Sequence, residues 1–337
     1  MAEKILTVSV AAYNVESTIA EVLDSLIVPD ILDRLEVFVI DDGGTDSTLK
    51  IAKEYEEKYP GTFFIVHKEN GGYGSTVNYS IAHATGKYFK LLDGDDWFNI
   101  DNLTEFINLL EHEYADVIIT PYVECGERSG KRKIDNLCRG LPEGCFLISQ
   151  VKLNGSSFDM HYLTFRTDLI QSIPLKLTEY CFYTDAEYAC LPIPYINTVY
   201  IWQHSIYQYR TEVAGQSMSI SGMLKHYQEH EQVFWRLSDE YKQMKAAGFT
   251  NTEIFKERLS FMAVTHIHML CLKGKGQISY KEVEKYCNKI KQKLPEIREL
   301  AMRQSKFVYA LYLTRYKAYP VLYRYYQWQL RRKRKGD

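Results

Sequence analysis

No long apolar run, no paired cysteine motif and no excess of either charge occurs in these 337 residues. A membrane-spanning helix needs about 20 consecutive apolar residues, and no stretch approaches that. The seven cysteines include no CxxC pair and no Cys/His cluster at zinc spacing. With an odd count, they read as buried thiols in a reducing compartment. Lys and Arg number 41 against 43 Asp and Glu, a formal net charge of −2, which gives no reason to expect nucleic acid as a partner. Met1-Ala-Glu-Lys4 leads into a strand-like run without the apolar core of a signal peptide, so the expected location is cytoplasmic.

Two glycine signatures are missing as well. The first strand is followed by Ala11-Ala-Tyr-Asn-Val-Glu16, where a dinucleotide-binding turn would be glycine-rich. Gly71-Gly-Tyr-Gly74 follows the wrong strand and lacks the Lys-Ser/Thr ending of a P-loop. Its expected service is to let backbone approach a ligand at a helix N-terminus.

What is present is alternation. Ile5 to Ala12 reads as a buried strand, and Val15, Ile19, Val22, Leu23 and Leu26 recur at helical spacing up to Pro29. Val37 to Ile40, Phe63 to Val66 and Tyr88 to Leu92 read as further strands. Between them lie helical stripes, Leu49-Ala52-Tyr55-Tyr59 and Tyr73-Val77-Ile81-Ala84. Strand and helix in turn predict βαβ units, a mainly parallel sheet and helices on both faces. Ligands of such sheets bind beyond the carboxyl ends of the strands. Polar residues gather there: Tyr13 and Asn14, Asp41 and Asp42, His67 to Gly72, and Asp93 to Asp96.

The last of these loops carries three carboxylates in four residues, Asp93, Asp95 and Asp96. Burying even one costs several kcal/mol, so a cation is expected, and Mg²⁺ or Mn²⁺ suits oxygen ligands shared with a phosphate. An acidic turn with Asp96 capping the next helix is the plainer reading.

Ser9-Val-Ala-Ala-Tyr-Asn14, Asp41-Asp-Gly-Gly-Thr-Asp46, Asn70-Gly-Gly-Tyr-Gly74, Asn78 with Ala82, and Ala84-Thr-Gly-Lys-Tyr88 leading to Leu92-Asp-Gly-Asp-Asp96 together resemble the family 2 inverting glycosyltransferases, of GT-A fold. The resemblance implies a nucleotide-diphosphate sugar donor, usually UDP-linked, and a divalent metal. Tyr13 would pack on the uracil ring beside Asn14, with Glu16 near the ribose. Asp41 would accept from the uracil N–H, with Asp42 next to it. Asn70, Gly71, Asn78 and Gly94 belong to the same donor-binding motifs. Asp93 would face ribose or metal, and Asp95 would be the direct metal ligand. Two positions depart from the family: Gly44, where serine is usual, and Tyr73, where Lys or Arg is common. Phe182-Tyr-Thr-Asp-Ala-Glu-Tyr188 resembles the family's acidic motif at the acceptor-facing helix, which makes Asp185 the candidate base; Glu187 lies two residues on. Its plainer reading is an acidic residue favoured at a helix N-terminus. Arg210, Gln216 and Ser217 match a loop that closes over the donor diphosphate, and a serine-rich linker is the alternative.

Residues 125–145 turn polar and basic, as a hairpin or loop excursion would. After Met223 the pattern is helical: His226 to Met244, Thr252 to Leu272 and Tyr280 to Leu294. His266 and His268 lack metal spacing and read as structural. The expected division is 1–215 for the GT-A catalytic domain and 216–337 for a C-terminal helical region. The aromatic segment 307–335 with its basic end, Arg331 to Lys335, suits a peripheral contact with the inner face of an anionic membrane. Packing on the catalytic domain or a homodimer interface would explain the same tyrosines. The function expected is metal-dependent, inverting transfer of a sugar from a UDP-sugar to a saccharide hydroxyl, plausibly lipid-linked, in surface polysaccharide synthesis. Two alternatives stand beside it: a catalytically silent sugar-nucleotide-binding partner subunit, and a metal-dependent nucleotidyltransferase.

Overall fold

The structure, a computed structural model, describes residues 3–151, 158–213, 220–273, 280–317, 319–321 and 324. Gln216, Ser217 and the basic cluster Arg331 to Lys335 lie outside these residues. The chain divides into two compact units, Met1–Glu212 and Val213–Asp337.

The first unit runs β1 (Leu6–Ala12), α1 (Ile19–Asp24), β2 (Leu35–Asp41), α2 (Thr48–Lys58), β3 (Phe63–His67), α3 (Tyr73–His83) and β4 (Tyr88–Asp93). It continues with β5 (Trp97–Phe98), α4 (Ile100–His112), β6 (Val117–Ile119), β7 (Tyr122–Gly126), β8 (Arg132–Asp135) and β9 (Gly144–Leu147). It closes with β10 (Leu163–Arg166), α5 (Thr167–Ser172), α6 (Asp185–Cys190), β11 (Thr198–Ile201) and β12 (Tyr207–Thr211). The fold is α/β with a mixed, mainly parallel sheet in the order β3-β2-β1-β4-β10-β6-β11-β9. A smaller sheet has the order β5-β12-β7-β8.

Apolar, β-branched β1 is buried along nearly its whole length, as a strand flanked on both sides must be. It pairs in parallel with β2 and with β4, so Ala12 faces Asp41 on one side and Ala11 faces Asp93 on the other. Here the strand order reverses, and the crevice opens at the carboxyl ends of these strands. Helix α3 packs on β1 and β2, and α2 on β2 and β3. In α4, Asn99 caps the first turn through a 3.2 Å bond from Asp101 N. Leu103, Phe106, Ile107 and Leu110 make its buried stripe, each side chain contributing about 1.5–3 kcal/mol.

The basic excursion contains the antiparallel pair β7–β8, while β9 leaves it to join the large sheet beside β11. The adjacent strands β11 and β12 also part company: β11 pairs with β6 in the large sheet, and β12 with β5 and β7 in the small one. The small sheet thereby brings residues near 210 back under the loop that follows β4.

The second unit is helical: α7 (Ile220–Lys225), α8 (Tyr227–Ala246), α9 (Thr252–Lys273), α10 (Tyr280–Lys293), α11 (Pro295–Gln304) and α12 (Lys306–Leu313). Its core includes Phe234, Leu237, Phe255, Leu259, Val283 and Ile297. His230 and His266 stack at 5.4 Å and burial lowers both pKa values, that of His230 to about 3, so these rings are neutral core side chains. No helix among the described residues is long and apolar enough to cross a membrane.

Residues 174–184 form a strap across the glycine loop. A Cβ on Gly74 would lie 2.1 Å from Thr178 O, and one on Gly72 3.1 Å from Tyr180 N. These glycines make room for the chain itself. Gly74→Ala should therefore destabilise the protein by about 2–3 kcal/mol, measured by urea denaturation, whereas Gly130→Ala, with open space around it, should cost less.

Candidate active site

At one end of the crevice Tyr13 follows β1 with 54% of its surface exposed. Asn14 adopts φ 53°, a left-handed conformation that Asn tolerates better than most residues. Its Oδ1 accepts from Thr45 N at 2.8 Å. Glu16 Oε2 accepts from Ser47 N at 2.8 Å, and Asp46 Oδ2 accepts from Glu16 N at 3.0 Å. These bonds lock the loops after β1 and β2 into one rim and leave the Tyr13 ring open. Asp41 is buried, with Oδ2 2.6 Å from His67 Nδ1 and Oδ1 accepting from Gly44 N at 3.2 Å. A Cβ on Gly44 would sit 2.6 Å from that oxygen. The departure from serine at 44 lets a backbone amide reach Asp41 directly.

Asp42, one residue on, faces the protein. Its Oδ1 accepts from Lys68 Nζ at 2.6 Å and Gly71 N at 2.9 Å, and its Oδ2 from Gly72 N at 2.8 Å. Asn70 Nδ2 donates to the Asp42 carbonyl at 2.8 Å. The amides of Gly71 and Gly72, just ahead of α3, are thus met by an internal carboxylate, where an external anion was expected. Asp42, Asn70 and Gly71 build the loop. Lys68, which sequence reasoning missed, also donates to Glu69 O and Ser75 Oγ, so its ammonium protons are all used by the chain.

Asp93 ends β4, and its Oδ1 accepts from the Tyr73 hydroxyl at 2.9 Å. Burial, then the Asp95 and Asp185 carboxylates, push the Asp93 carboxyl up to about 7 against that hydrogen bond. The half-buried Asp95 carboxylate has no hydrogen-bond partner among the described residues. Asp96 is fully buried, accepting from Tyr207 Oη at 2.6 Å and Arg210 N at 2.7 Å. It joins the loop to β12 and does not cap α4. Gly94 is required by packing, since a Cβ there would lie 2.7 Å from Ala11 O.

Arg210 was expected at the diphosphate, but its guanidinium is 8% exposed, paired with Glu21 and with Glu127. It stacks on Trp97 at 4.7 Å, and Nε donates to Asp95 O at 2.7 Å. It braces the acidic loop from below.

Ligand atoms of Asp93, Asp96 and His161 lie within 4.8 Å of one another. Both Asp96 oxygens already accept hydrogen bonds, so Asp93 and Asp95 are the better cation ligands. Burial and then repulsion raise the Asp93 pKa, and a hard divalent cation would relieve both. Beneath them Lys90 is buried, its Nζ donating to His161 O at 3.0 Å and Leu163 O at 3.2 Å, with its pKa lowered by burial to about 7.

The strap joins the crevice from the far side. Asn78 exchanges bonds with Leu177, accepting from its N at 2.8 Å and donating to its O at 3.0 Å. Buried Glu187 accepts from Thr178 N at 2.7 Å and Thr178 Oγ1 at 2.8 Å. Asn78 and Glu187 therefore hold the strap. Asp185, the first residue of α6, is half-buried and acts electrostatically on Asp93 and Tyr73. Of the two acidic residues in that motif, Asp185 is the one whose charge acts on Asp93, while Glu187 is spent on Thr178.

A sequence model described as glycosyl transferase family 2 matches residues 7–171. Residues 7–171 belong to glycosyl transferase family 2. An uncharacterized glycosyltransferase of Mycoplasma pneumoniae is 29% identical over 66% of this chain and 74% of its own length. The minor teichoic acid biosynthesis protein GgaB of Bacillus subtilis is 31% identical over 37% of this chain and 14% of its own length. The poly(ribitol-phosphate) beta-glucosyltransferase of Bacillus spizizenii is 31% identical over 42% of this chain, which spans 21% of that protein. Among solved structures, S. aureus TarS 1-349 in complex with UDP-GlcNAc superposes with a TM-score of 0.66 at 16% identity, over 96% of this chain and 92% of that one. A mannosyltransferase of Pyrobaculum calidifontis in complex with GDP-Man and Mn2+ gives 0.52 at 17% identity, over 96% and 86%. At these identities the superpositions establish the GT-A fold.

In this family 2 unit, Tyr207 had no motif to announce it, and Glu187, though inside the acidic motif, had none to announce its role as a clamp on Thr178. Both are held by contacts with residues distant in sequence or turned inward. If Arg210 is a brace, Arg210→Ala should lower unfolding free energy by about 3 kcal/mol. Urea denaturation measures it; a phosphate-binding role would leave the midpoint in place and weaken donor binding alone.

Proposed function

We propose that this glycosyltransferase moves a sugar from a UDP-type donor to a saccharide hydroxyl in one metal-dependent, inverting displacement. The observation that carries the reading is the acidic turn at the end of β4, where burial and the charges of Asp95 and Asp185 raise the Asp93 pKa. A base whose charge is felt at a pair of cation ligands suits transfer of a phosphate-linked group better than binding alone.

Tyr13 offers a flat apolar face to a nucleobase, and Asp41, held by His67 and Gly44 N, offers a carboxylate to a base N–H. Asp93 and Asp95 would hold Mg²⁺ or Mn²⁺, which stabilises negative charge on a leaving diphosphate. Asp185 would take the proton of the acceptor hydroxyl. Tyr73 occupies the usual Lys or Arg position, and its hydroxyl orients Asp93 by hydrogen bonding. Gln216 and Ser217 complete the donor loop in this reading.

The names of the relatives, a teichoic acid biosynthesis protein and a poly(ribitol-phosphate) glucosyltransferase, support a surface-polymer acceptor, with a lipid-linked one included. On the C-terminal segment Tyr309, Leu313 and Val321 are exposed, which supports a peripheral membrane contact through 307–335. The silent partner subunit remains the competing reading, because it would keep Tyr13 and Asp41 but need no base. The nucleotidyltransferase reading does not survive the family match.

UDP with Mn²⁺ should raise the melting temperature by about 2–4 °C, and Asp95→Ala should remove the metal dependence. Asp185→Asn should keep that stabilisation while turnover, followed as UDP release from UDP-sugars, falls about a hundredfold or more. Absence of UDP release from the wild type would assign the chain to the silent class, and equal release by wild type and Asp185→Asn would remove Asp185 as the base.

A further inference from the structure

Immediately ahead of Asp185 two aromatic side chains lie open to solvent, Tyr180 with 74% and Phe182 with 43% of its surface exposed. A single exposed aromatic is unremarkable. These two sit on the strap, and the strap is held more firmly than a surface loop needs to be. Leu177, Thr178 and Tyr180 are fastened through Asn78, Glu187 and Gly71 O, with Tyr180 N donating to Gly71 O at 2.5 Å. Tyr180 and Tyr183 are kept at φ 54° and 66°, a conformation bulky residues adopt only where surroundings impose it. The same strap runs directly into α6 and its first residue, Asp185.

We propose that Tyr180 and Phe182 form the platform on which the acceptor sugar ring lies, a proposal that rests on the transferase reading of Asp185. A pyranose has an apolar face of C–H bonds and a rim of hydroxyls. An aromatic face, electron-rich at its centre, receives the C–H face and leaves the hydroxyls directed along the rim. Aromatic rings with two rotatable bonds lose little entropy in doing so. The nucleobase end of the crevice has its own exposed ring, Tyr13, on the loop after β1, so the strap aromatics are available to the second substrate. Fixing them on the segment that positions the base couples ring placement to the hydroxyl that must be deprotonated.

Saturation-transfer NMR on the whole protein tests this. The probes are the methyl β-glycosides of glucose, galactose and N-acetylglucosamine, with hexanol as an apolar probe and UDP with Mn²⁺ in parallel samples. The expected result is saturation on the C–H protons of one ring face. Tyr180→Ala and Phe182→Ala should each weaken binding about five- to tenfold, and Tyr180→Phe should retain it. Both sites are exposed, so folding is preserved. Binding unchanged in both alanine variants overturns the platform, as does UDP binding without binding of any glycoside. Hexanol binding that is lost in the same variants, without glycoside binding, assigns the patch to a lipid chain and overturns the saccharide. Failure of UDP itself to bind removes the transferase reading, and the platform with it.

Discussion

Like charge concentrated at the end of β4 is the constraint to which the rest of the first unit answers. Asp93, Asp95 and Asp96 lie on one turn, and Asp185 at the start of α6 adds to the charge that acts on Asp93. Each is accommodated differently. Asp96 is buried and satisfied by a phenol and a backbone amide. Asp93 is shared with the Tyr73 hydroxyl. Asp95 keeps its carboxylate open while its carbonyl is held by Arg210. The small sheet exists at this position because something must carry Tyr207 and Arg210 beneath the loop, and β12 does so by pairing with β5 immediately after it.

The same economy recurs in pairs of neighbouring acidic residues. Asp41 is held by His67 and the Gly44 amide, while Asp42 accepts from the amides of Gly71 and Gly72 just ahead of α3. The charge of Asp185 acts on Asp93 while Glu187, on the next part of the helix, clamps Thr178. In each pair the second carboxylate braces the backbone, and the proposed function assigns the chemistry to the first. Catalytic groups need placement within a fraction of an ångström, and the inward partner is what provides it. The glycines at 72 and 74 follow the same logic, admitting the strap where a side chain would collide with Thr178 O or the Tyr180 backbone.

How much of this could be read without coordinates depended on the range of the interaction concerned. The alternation of β1 to β4 with α1 to α3 was legible because burial on a parallel sheet writes itself into local periodicity. The gathering of polar residues after each strand was legible for the same reason, since all four strands point the same way. The resemblance of the motifs supplied the family, later matched over residues 7–171. Arg210 was read toward the diphosphate because its partners Glu21, Glu127 and Trp97 are remote in sequence. Asp42 and Asn78 were read as ligand contacts, yet their polar atoms are spent on Lys68, the glycine loop and Leu177, and Asn70 donates its Nδ2 to the Asp42 carbonyl.

By itself the sequence determined the fold class, the crevice and the set of residue types gathered around it, because each follows from patterns a few residues long. Tertiary structure alone decided which donors claim each member of an acidic pair, that the strap lies across the glycine loop, and that β11 and β12 enter different sheets. The physical reason is that adjacent carboxylates are chemically equivalent until a distant donor claims one of them. Asp96 is claimed by Tyr207 and Arg210 from more than a hundred residues away, and no local pattern carries that information.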